Sequence, residues 1–304
     1  MSKKDFLTLK DFSQQEILHL LNIAISYKAA PHRYRNALNG HLIGMIFEKP
    51  STRTRVSLEG AALRLGAHAI YLSPRDTQLG RGESIEDTSK VLSRYVDLIT
   101  ARVFSHASLE ALAKKGSIPV INALSDRFHP AQVLADLMTL KEHKGMLDGL
   151  VLTFVGDGSN NMAASLAIGG AIVGMEVRIA TPKAYQPAQD VIDFVNQVGG
   201  TLNIYTDPFE AVNGADCVYT DVWVSMGDEA QKQQRLNVFA PFQVNLALFE
   251  EAKKDAVFMH CLPAHRGQEV TSEVADHPRS IIFDEAENRL HTAAALYLNL
   301  LLGQ

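Results

Sequence analysis

The sequence is poor in cysteine and has no long hydrophobic run. Its 304 residues include only Cys217 and Cys261, too few for a disulfide framework and consistent with a reducing cytosol. No apolar stretch reaches the length of a membrane-spanning helix. The first residues, Met1–Asp5, do not begin a secretory signal or an arginine-rich transit segment. We therefore expect a cytoplasmic protein with no membrane partner.

An excess of positive charge is also missing. The chain has 29 Lys and Arg against 34 Asp and Glu, a formal charge of −5, and no basic block stands out. This balance argues against a nucleic-acid partner, so local cations must serve a local anion. The length and the 46% hydrophobic content fit one large or two medium globular domains with a substantial core.

Common metal and nucleotide motifs are absent. The Cys and His residues lack paired C-x-x-C or H-x-x-x-H spacing, so we expect no metal. A Walker loop is missing, which disfavours ATP. Gly156-Asp157-Gly158 follows an apolar run, but the third glycine of a dinucleotide fingerprint would fall at Asn161. The next predicted strand ends at Ala180 without the acidic residue that a nicotinamide enzyme would use.

The most informative stretch is Phe-Glu-Lys-Pro-Ser-Thr-Arg-Thr-Arg at 47–55. An apolar run of strand length precedes it, and apolar residues at helical spacing follow it until Gly66. It is therefore predicted to be a strand-to-helix turn with Ser51 as the N-cap. A helix N-terminus attracts anions through its unpaired N–H groups and its dipole, and this one adds the hydroxyls of Ser51, Thr52 and Thr54. The stretch predicts a phosphate site.

The two arginines of this turn cannot share one anion. Arg53 and Arg55 are two residues apart, which is about 200° around a helix. We assign Arg53 to the ligand and Arg55 to a structural ion pair. For a lone Ser-Thr-Arg, an ordinary capped helix with surface arginines would be the simpler interpretation.

Strand-like and helix-like segments alternate, and the pattern restarts after Gly145. This predicts an α/β fold of two domains, each a parallel sheet flanked by helices, over 1–148 and 149–285. A short strand is predicted at Ile281-Ile282-Phe283. A C-terminal helix over 286–304 is expected to pack back on the first domain.

Several polar residues fall at or just past the ends of predicted strands, and in open α/β sheets ligands bind outside those ends. They are Arg53, Arg102, His129, Asp157, Asp221 and Cys261. We therefore treat them as one site. His129 and Gln132 begin a predicted helix, so both side chains can donate to the same ligand. His260 and Cys261 are unlikely to form a nucleophile–base dyad because neighbours on a strand point to opposite faces. Cys261 could equally be a core residue.

The motifs and their order resemble the aspartate/ornithine carbamoyltransferase family over essentially the whole chain. Ser-Thr-Arg-Thr-Arg at 51–55 and His-Pro-Ala-Gln at 129–132 are similar to the family's two carbamoyl phosphate motifs. Asp-Val-Trp-Val-Ser-Met-Gly at 221–227 and His-Cys-Leu-Pro at 260–263 resemble the family's ornithine-using members. Glu-Asn-Arg-Leu at 287–290 resembles its late arginine motif.

The resemblance implies transfer of the carbamoyl group of carbamoyl phosphate to the δ-amine of L-ornithine, giving L-citrulline and phosphate in arginine biosynthesis or arginine/ornithine metabolism. It implies no cofactor, a carbamoyl phosphate-binding domain at 1–148 and an ornithine-binding domain at 149–285. Its implied carbamoyl phosphate residues are Ser51, Thr52, Arg53, Thr54, Gln78, Arg102, His129, Gln132, Cys261, Leu262 and Arg289. Its implied ornithine residues are Asn160 or Asn161, Asp221, Ser225 and Met226. Among these residues, Arg102, His129, Asp221 and Cys261 take the catalytic roles.

The resemblance also implies a homotrimer, or a multiple of trimers, in which the loop around Gln78 reaches a neighbour's carbamoyl phosphate. Two alternatives stay open: a carbamoyltransferase for another amine, such as putrescine or N-acetylornithine, and a non-catalytic anion-binding homologue. Ser225-Met226-Gly227 favours free ornithine over the other amines.

Overall fold

The computed structural model describes residues 3–73, 82–224 and 231–304. The chain folds into two compact units. The first comprises residues 1–138 and 287–304, and the second comprises 139–286. None of the helices in these described stretches is long and apolar enough to cross a membrane.

The first unit is built on a four-stranded parallel sheet in the order β2-β1-β3-β4. Its strands are β1 (Leu42–Phe47), β2 (His68–Leu72), β3 (Leu98–Arg102) and β4 (Val120–Leu124). Its helices are α1 (Gln14–Ala29), α2 (Thr52–Arg64), α3 (Ile85–Leu92), α4 (His106–Lys115) and the first part of α5 (Pro130–Lys144). Strand β3 is buried along its whole length, as expected for a parallel strand covered on both faces.

The carboxyl ends of β1, β3 and β4 lie side by side. Phe47, the last residue of β1, is paired with Arg102, the last residue of β3, and Arg102 is paired with Leu124 at the end of β4. The turns that follow these three strands therefore leave the sheet at one edge. Those turns contain most of the side chains that the sequence selected in this unit.

The second unit is a five-stranded parallel sheet in the order β7-β6-β5-β8-β9. Its strands are β5 (Val151–Val155), β6 (Glu176–Ala180), β7 (Thr201–Tyr205), β8 (Cys217–Thr220) and β9 (Val257–His260). Its helices are α6 (Asn161–Ile172), α7 (Gln189–Gln197), α8 (Pro208–Val212), α9 (Lys232–Phe239), α10 (Leu246–Phe249) and α11 (Ser272–Ala275). The predicted two-sheet α/β class is thus confirmed.

The last helix, α12 (Ile282–Leu302), begins in the second unit, and from Glu287 onward it belongs to the first. This confirms that the C-terminal helix packs back on the first unit. The predicted strand at Ile281–Phe283 is wrong, because the helix already begins at Ile282. Strand-like pairing occurs just before it, as an isolated parallel bridge between Ser280 and Phe258 in which the Ile281 N–H donates to the carbonyl of Phe258 at 3.0 Å. A three-residue apolar run does not distinguish a strand from the start of a buried helix.

The first turn of α12 is bonded to the sheet of the second unit through one buried carboxylate. Glu285 accepts the hydroxyl of Tyr219 on β8 at 3.0 Å and the backbone N–H of His260 on β9 at 2.9 Å. Glu285 and Tyr219 are both fully buried. Hydrogen bonds to a charged group are stronger than neutral ones, so this carboxylate ties the helix start to two neighbouring strands.

We expect Tyr219→Phe to lower the free energy of unfolding by about 1–3 kcal/mol, because it removes a hydrogen bond to a buried carboxylate. Urea denaturation at neutral pH would measure the change. Tyr205→Phe, on the edge strand β7, is the matched control and should change stability by less than about 0.5 kcal/mol. Equal stabilities for wild type and Tyr219→Phe would contradict the role given to Glu285.

Candidate functional site

The turn after β1 has the geometry of an anion site. Ser51 is extended, with φ −161° and ψ 126°, and its hydroxyl accepts the N–H of Thr54 at 3.3 Å, so the predicted N-cap is confirmed. Thr52 and Arg53 are exposed in the first turn of α2, whereas Thr54 is only 3% exposed. Within the described part of the chain, no acidic side chain pairs with Arg53. An exposed guanidinium thus stands beside N–H groups that have no partner inside the helix.

Arg55 points elsewhere. Its Nε lies 3.4 Å from Glu59 Oε2, one turn further along α2, and its guanidinium stacks 3.8 Å from the ring centre of Tyr71. The prediction of a structural ion pair for Arg55 is confirmed. Because Arg55 is held by the helix and β2, Arg53 is the arginine of this turn that is available to a ligand.

Three helices of the first unit meet at Arg289. This α12 side chain donates to Gln132 Oε1 on α5 and, at 3.5 Å, to Thr54 Oγ1 on α2. Gln132 in turn donates to Asp136 Oδ1 at 2.8 Å. Arg289 and Gln132 are almost completely buried, so the contact fixes both side chains. The sequence motifs at 51–55, 129–132 and 287–290 are thereby brought together.

His129 and Arg102 complete this group. Both are buried, His129 at the start of α5 and Arg102 at the end of β3. Burial, together with the positive charges of Arg289 and Arg102, holds the pKa of His129 well below its usual value. The imidazole is therefore neutral at pH 7, with one ring N–H to donate. The structure thus places cationic and neutral donors in one buried patch of the first unit.

Asp221 is the hub of the corresponding group in the second unit. It follows β8 and accepts the thiol of Cys261, which follows β9, at 3.1 Å, and the N–H of Val222 at 2.8 Å. The side-chain nitrogen of Asn160 lies 3.5 Å from its other oxygen. Asn160 also caps α6, accepting the N–H of Ala163 at 2.8 Å. The ends of β5, β8 and β9 are adjacent in the sheet, and this order brings the three side chains together.

Burial raises the pKa of Asp221 above its ordinary value, and the neighbouring His260, the Cys261 thiol and the Val222 N–H partly offset this effect. The carboxylate therefore lies in an environment that disfavours its charge. Perturbed carboxyl groups of this kind are typical of functional sites, although structural networks also produce them.

His260 and Glu269 support the turn that contains Cys261. His260 Nε2 lies 3.2 Å from Glu269 Oε1, and its Nδ1 accepts the N–H of Leu262 at 2.9 Å. Leu262 has φ 57°, a left-handed conformation that is unfavourable for leucine, and the Leu262–Pro263 bond is cis. The Leu262 N–H bond to His260 holds this unusual turn. Sequence spacing gave no sign of Glu269, which is fully buried.

Among the described residues, Asp221, His260 and Cys261 form one group of metal-ligand type, with ligand atoms within 4.8 Å of one another. The sequence did not predict this cluster, because the three residues lie on two strands and lack a ligand motif. Both nitrogens of His260 are already hydrogen-bonded, and the thiol donates to Asp221. We therefore assign the group to hydrogen bonding.

Asp157 lies just past the end of β5, as the sequence predicted. Its side chain forms no hydrogen bond or ion pair with any other predicted site residue that the structure describes. It forms a buried ion pair with Arg235 on α9, and Arg235 also donates to the carbonyl of Trp223 at 2.6 Å. Arg235 was not predicted, because a lone arginine in a mostly polar helix gives no signal in one sequence. The predicted residues Gln78, Ser225 and Met226 lie outside the described residues.

Comparison with known proteins gives the same result for both halves of the chain. The family model "Aspartate/ornithine carbamoyltransferase, carbamoyl-P binding domain" matches residues 4–142, and "Aspartate/ornithine carbamoyltransferase, Asp/Orn binding domain" matches 148–300. A protein of Anoxybacillus flavithermus named ornithine carbamoyltransferase is 53% identical over 305 residues, which cover 98% of this chain and 96% of the relative.

A relative and a solved structure from Pyrococcus furiosus agree with these matches. A protein named "Ornithine carbamoyltransferase, anabolic" is 50% identical over 312 residues, covering 100% of this chain and 98% of the relative. The solved structure of an ornithine carbamoyltransferase from the same organism superposes with a TM-score of 0.94 at 49% identity. That match covers 99% of this chain and 98% of the other.

The raised pKa of Asp221 predicts how stability depends on pH. A carboxyl group with a raised folded-state pKa contributes most below its unfolded value, about 3.9, and this contribution is lost as pH rises through the folded value. Asp221→Asn, which has no charge to bury, should therefore gain stability relative to wild type as pH rises from 4 to 8. Denaturation midpoints across this range would test the trend. If the difference in stability between Asp221→Asn and wild type stays constant with pH, burial of the Asp221 charge has no energetic cost.

Proposed function

Because the chain belongs to the aspartate/ornithine carbamoyltransferase family, we propose that it transfers the carbamoyl group of carbamoyl phosphate to the δ-amine of L-ornithine, giving L-citrulline and phosphate. The observation that supports this most is the full-length likeness to proteins named ornithine carbamoyltransferase, with 53% identity over 98% of the chain in the Anoxybacillus flavithermus case. The local chemistry of each unit agrees with one of the two substrates.

Carbamoyl phosphate is assigned to the first domain, residues 1–148 with the C-terminal helix 286–304. Its phosphate is proposed to sit on the N-terminus of α2, where Ser51, Thr52, Thr54 and the helix N–H groups are donors and Arg53 supplies the positive charge. The support is the capped and exposed first turn of α2, together with an arginine that no described acidic residue neutralises. Arg289 is held against Thr54 and adds a second guanidinium to this patch.

The carbamoyl oxygen is assigned to Arg102, His129 and Thr54. Negative charge develops on that oxygen when the amine attacks, and donors fixed beforehand stabilise it most. His129 suits this role because its depressed pKa keeps it a neutral donor whose orientation does not depend on pH near 7. Gln132, fixed by Arg289 and Asp136, is assigned to the carbamoyl nitrogen.

Ornithine is assigned to the second domain, residues 149–285. Asp221 and Cys261, joined by their hydrogen bond, are proposed to orient the δ-amine. Cys261 and Leu262 are also assigned to carbamoyl phosphate by the resemblance alone. Asn160 or Asn161 is assigned to ornithine's amino-acid end by the resemblance. Ser225 and Met226 are assigned to the same end by the resemblance alone.

In the reaction, the lone pair of the neutral δ-amine forms a bond to the carbamoyl carbon, and the bond from that carbon to the phosphate oxygen breaks. Phosphate leaves with the electron pair, and the proton lost by the new amide nitrogen balances on the phosphate, which is released as hydrogen phosphate. Because a free alkylammonium has a pKa of about 10.4, the site must favour the neutral amine. Asp221 by itself would favour the ammonium form, so we assign it to positioning. Phosphate is a good leaving group, and the chemistry needs no cofactor.

We expect the purified protein to form citrulline from carbamoyl phosphate and ornithine, and to use putrescine and N-acetylornithine at least about 100-fold less well. A colorimetric assay would measure citrulline formed from ornithine. Parallel assays would measure the carbamoylated products of the other two amines. Arg53→Ala should lower turnover by at least about 100-fold with little change in stability, because an exposed side chain at a helix start contributes little to folding.

Arg55→Ala is the matched control on the same helix, since its guanidinium pairs with Glu59 and not with the ligand. It should keep most of the activity. Preference for another amine would support the first alternative function, and no product with any amine would support an anion-binding homologue. Near-normal activity of Arg53→Ala would reject its assignment to phosphate.

We also infer a cytoplasmic homotrimer, or a multiple of it, with sites shared between neighbouring subunits. The support is the resemblance, which assigns Gln78 to a neighbour's carbamoyl phosphate. Cyclic trimers use heterologous interfaces, so each subunit would complete one neighbouring site in one direction.

Subunit mixing tests this sharing. Arg53→Ala and Gln78→Ala should each be inactive, but refolding an equal mixture should restore roughly a quarter of native activity. Random assembly makes about three quarters of trimers mixed, and each of these has one intact site in three. Each variant refolded alone is the control. No recovery in hybrid trimers verified by mass would reject shared sites and leave the reaction unaffected.

A further inference from the structure

A short loop between β4 and α5 carries His129, and it closes on Ser125. The backbone N–H of Ser125 donates to the carbonyl of Phe128 at 2.9 Å, and the N–H of Phe128 donates back to Ser125 Oγ at 3.2 Å. Phe128 directly precedes His129, whose carbonyl accepts the first N–H bonds of α5. The position of Ser125 therefore fixes the backbone at Phe128, where the chain enters α5. It thereby fixes the point from which the side chain of His129 projects.

His106, the first residue of α4, holds this loop at three points. Its ring Nδ1 lies 2.9 Å from Ser125 Oγ, and its backbone N–H donates to Asp126 Oδ1 at 2.7 Å. Its ring also packs edge-on against Phe128, with 5.0 Å between ring centres. His106 is almost completely buried, and burial lowers its pKa. A neutral imidazole can thus keep one fixed hydrogen bond to Ser125 across the neutral pH range.

Asn122 holds the same loop from the sheet side. Its amide nitrogen donates to the carbonyl of Leu7 at 2.9 Å and lies 3.4 Å from both Ser125 Oγ and the carbonyl of Phe128. Asn122 lies in the middle of β4 and is fully buried. The loop is therefore clamped between β4 and α4.

We propose that His106 and Ser125 are positioning residues for carbamoyl transfer, acting through Phe128 to fix the imidazole of His129. This inference rests on the proposed function. Neither residue lies in a motif that the sequence selected, and neither is assigned to a substrate. A donor to the developing oxyanion must be held within a fraction of an ångström, and a 1 Å displacement can cost about 100-fold in rate. A clamp of buried hydrogen bonds supplies that restraint.

The test compares three variants of the full-length protein. His106→Leu removes the hydrogen bond to Ser125 and fills the space of the imidazole ring. Ser125→Ala removes the Oγ atom on which the loop contacts meet. His106→Asn keeps a side-chain amide atom near the position of Nδ1. We expect His106→Leu and Ser125→Ala to lower kcat about 10- to 100-fold while KM for carbamoyl phosphate changes less than about threefold. His106→Asn should stay within about fivefold of wild-type kcat. The double variant should be no worse than the poorer single one, because both act through one contact.

The ring of His129 gives a readout that a packing role would not change. In wild type, burial, Arg289 and Arg102 depress its pKa. Releasing the loop should raise the pKa of His129 toward its usual value in His106→Leu and Ser125→Ala. NMR titration of the histidine ring would measure this, with His129→Gln used to assign the signal.

Leu109→Ala is the matched control, because Leu109 is a buried core residue one turn further along α4. It should destabilise the protein without changing kcat or the His129 titration well below the unfolding temperature. If His106→Leu behaves like Leu109→Ala in both measurements, the positioning role is wrong. If His106→Leu does not fold, Ser125→Ala decides the same question. If wild type forms no citrulline, the proposed function fails, while the His129 titration still shows whether His106 positions the ring.

Discussion

Parallel strand pairing is the constraint on which both units depend. In a parallel sheet the carboxyl ends of the strands share one edge, so residues far apart in sequence become neighbours there. In the first unit, the pairing of Phe47 with Arg102 brings the turn after β1 beside the end of β3. In the second, Thr220 is paired with both Val155 and His260, which places Asp221 between the turns that contain Asn160 and Cys261.

This arrangement places charge where folding alone would not favour it. Arg102 and Arg289 gather positive charge in the first unit, and burial together with these two charges keeps the neighbouring His129 neutral. In the second unit, Asp221 is 8% exposed and its pKa is raised. Burying such groups has an energetic cost unless a partner compensates. Under the proposed function, a bound anion in the first unit and a bound amine in the second would provide that compensation.

Further hydrogen bonds hold the turns and loops in which these side chains lie. Glu269 and His260 hold the Leu262 turn, and His106 and Ser125 hold the loop before His129. The His260–Glu269 and His106–Ser125 contacts are buried and the Leu262–His260 contact is partly buried, so these polar atoms are paired within the protein instead of with water. Accurate placement of the functional side chains and stability of the fold therefore come from the same hydrogen bonds.

The sequence by itself determined the local features: the α/β alternation, the strand-to-helix turn, the Ser51 cap and the separation of Arg53 from Arg55. These follow from the periods of helix and strand and from residues close in the chain, so one sequence contains them. It failed at Ile281–Phe283, where a short apolar run fits either element. Only the tertiary structure decided that Glu269 contacts His260, that Arg235 pairs with Asp157 and that His106 holds Ser125. These partners lie 9, 78 and 19 residues apart, and a lone polar residue does not reveal its distant partner until the fold brings the two together.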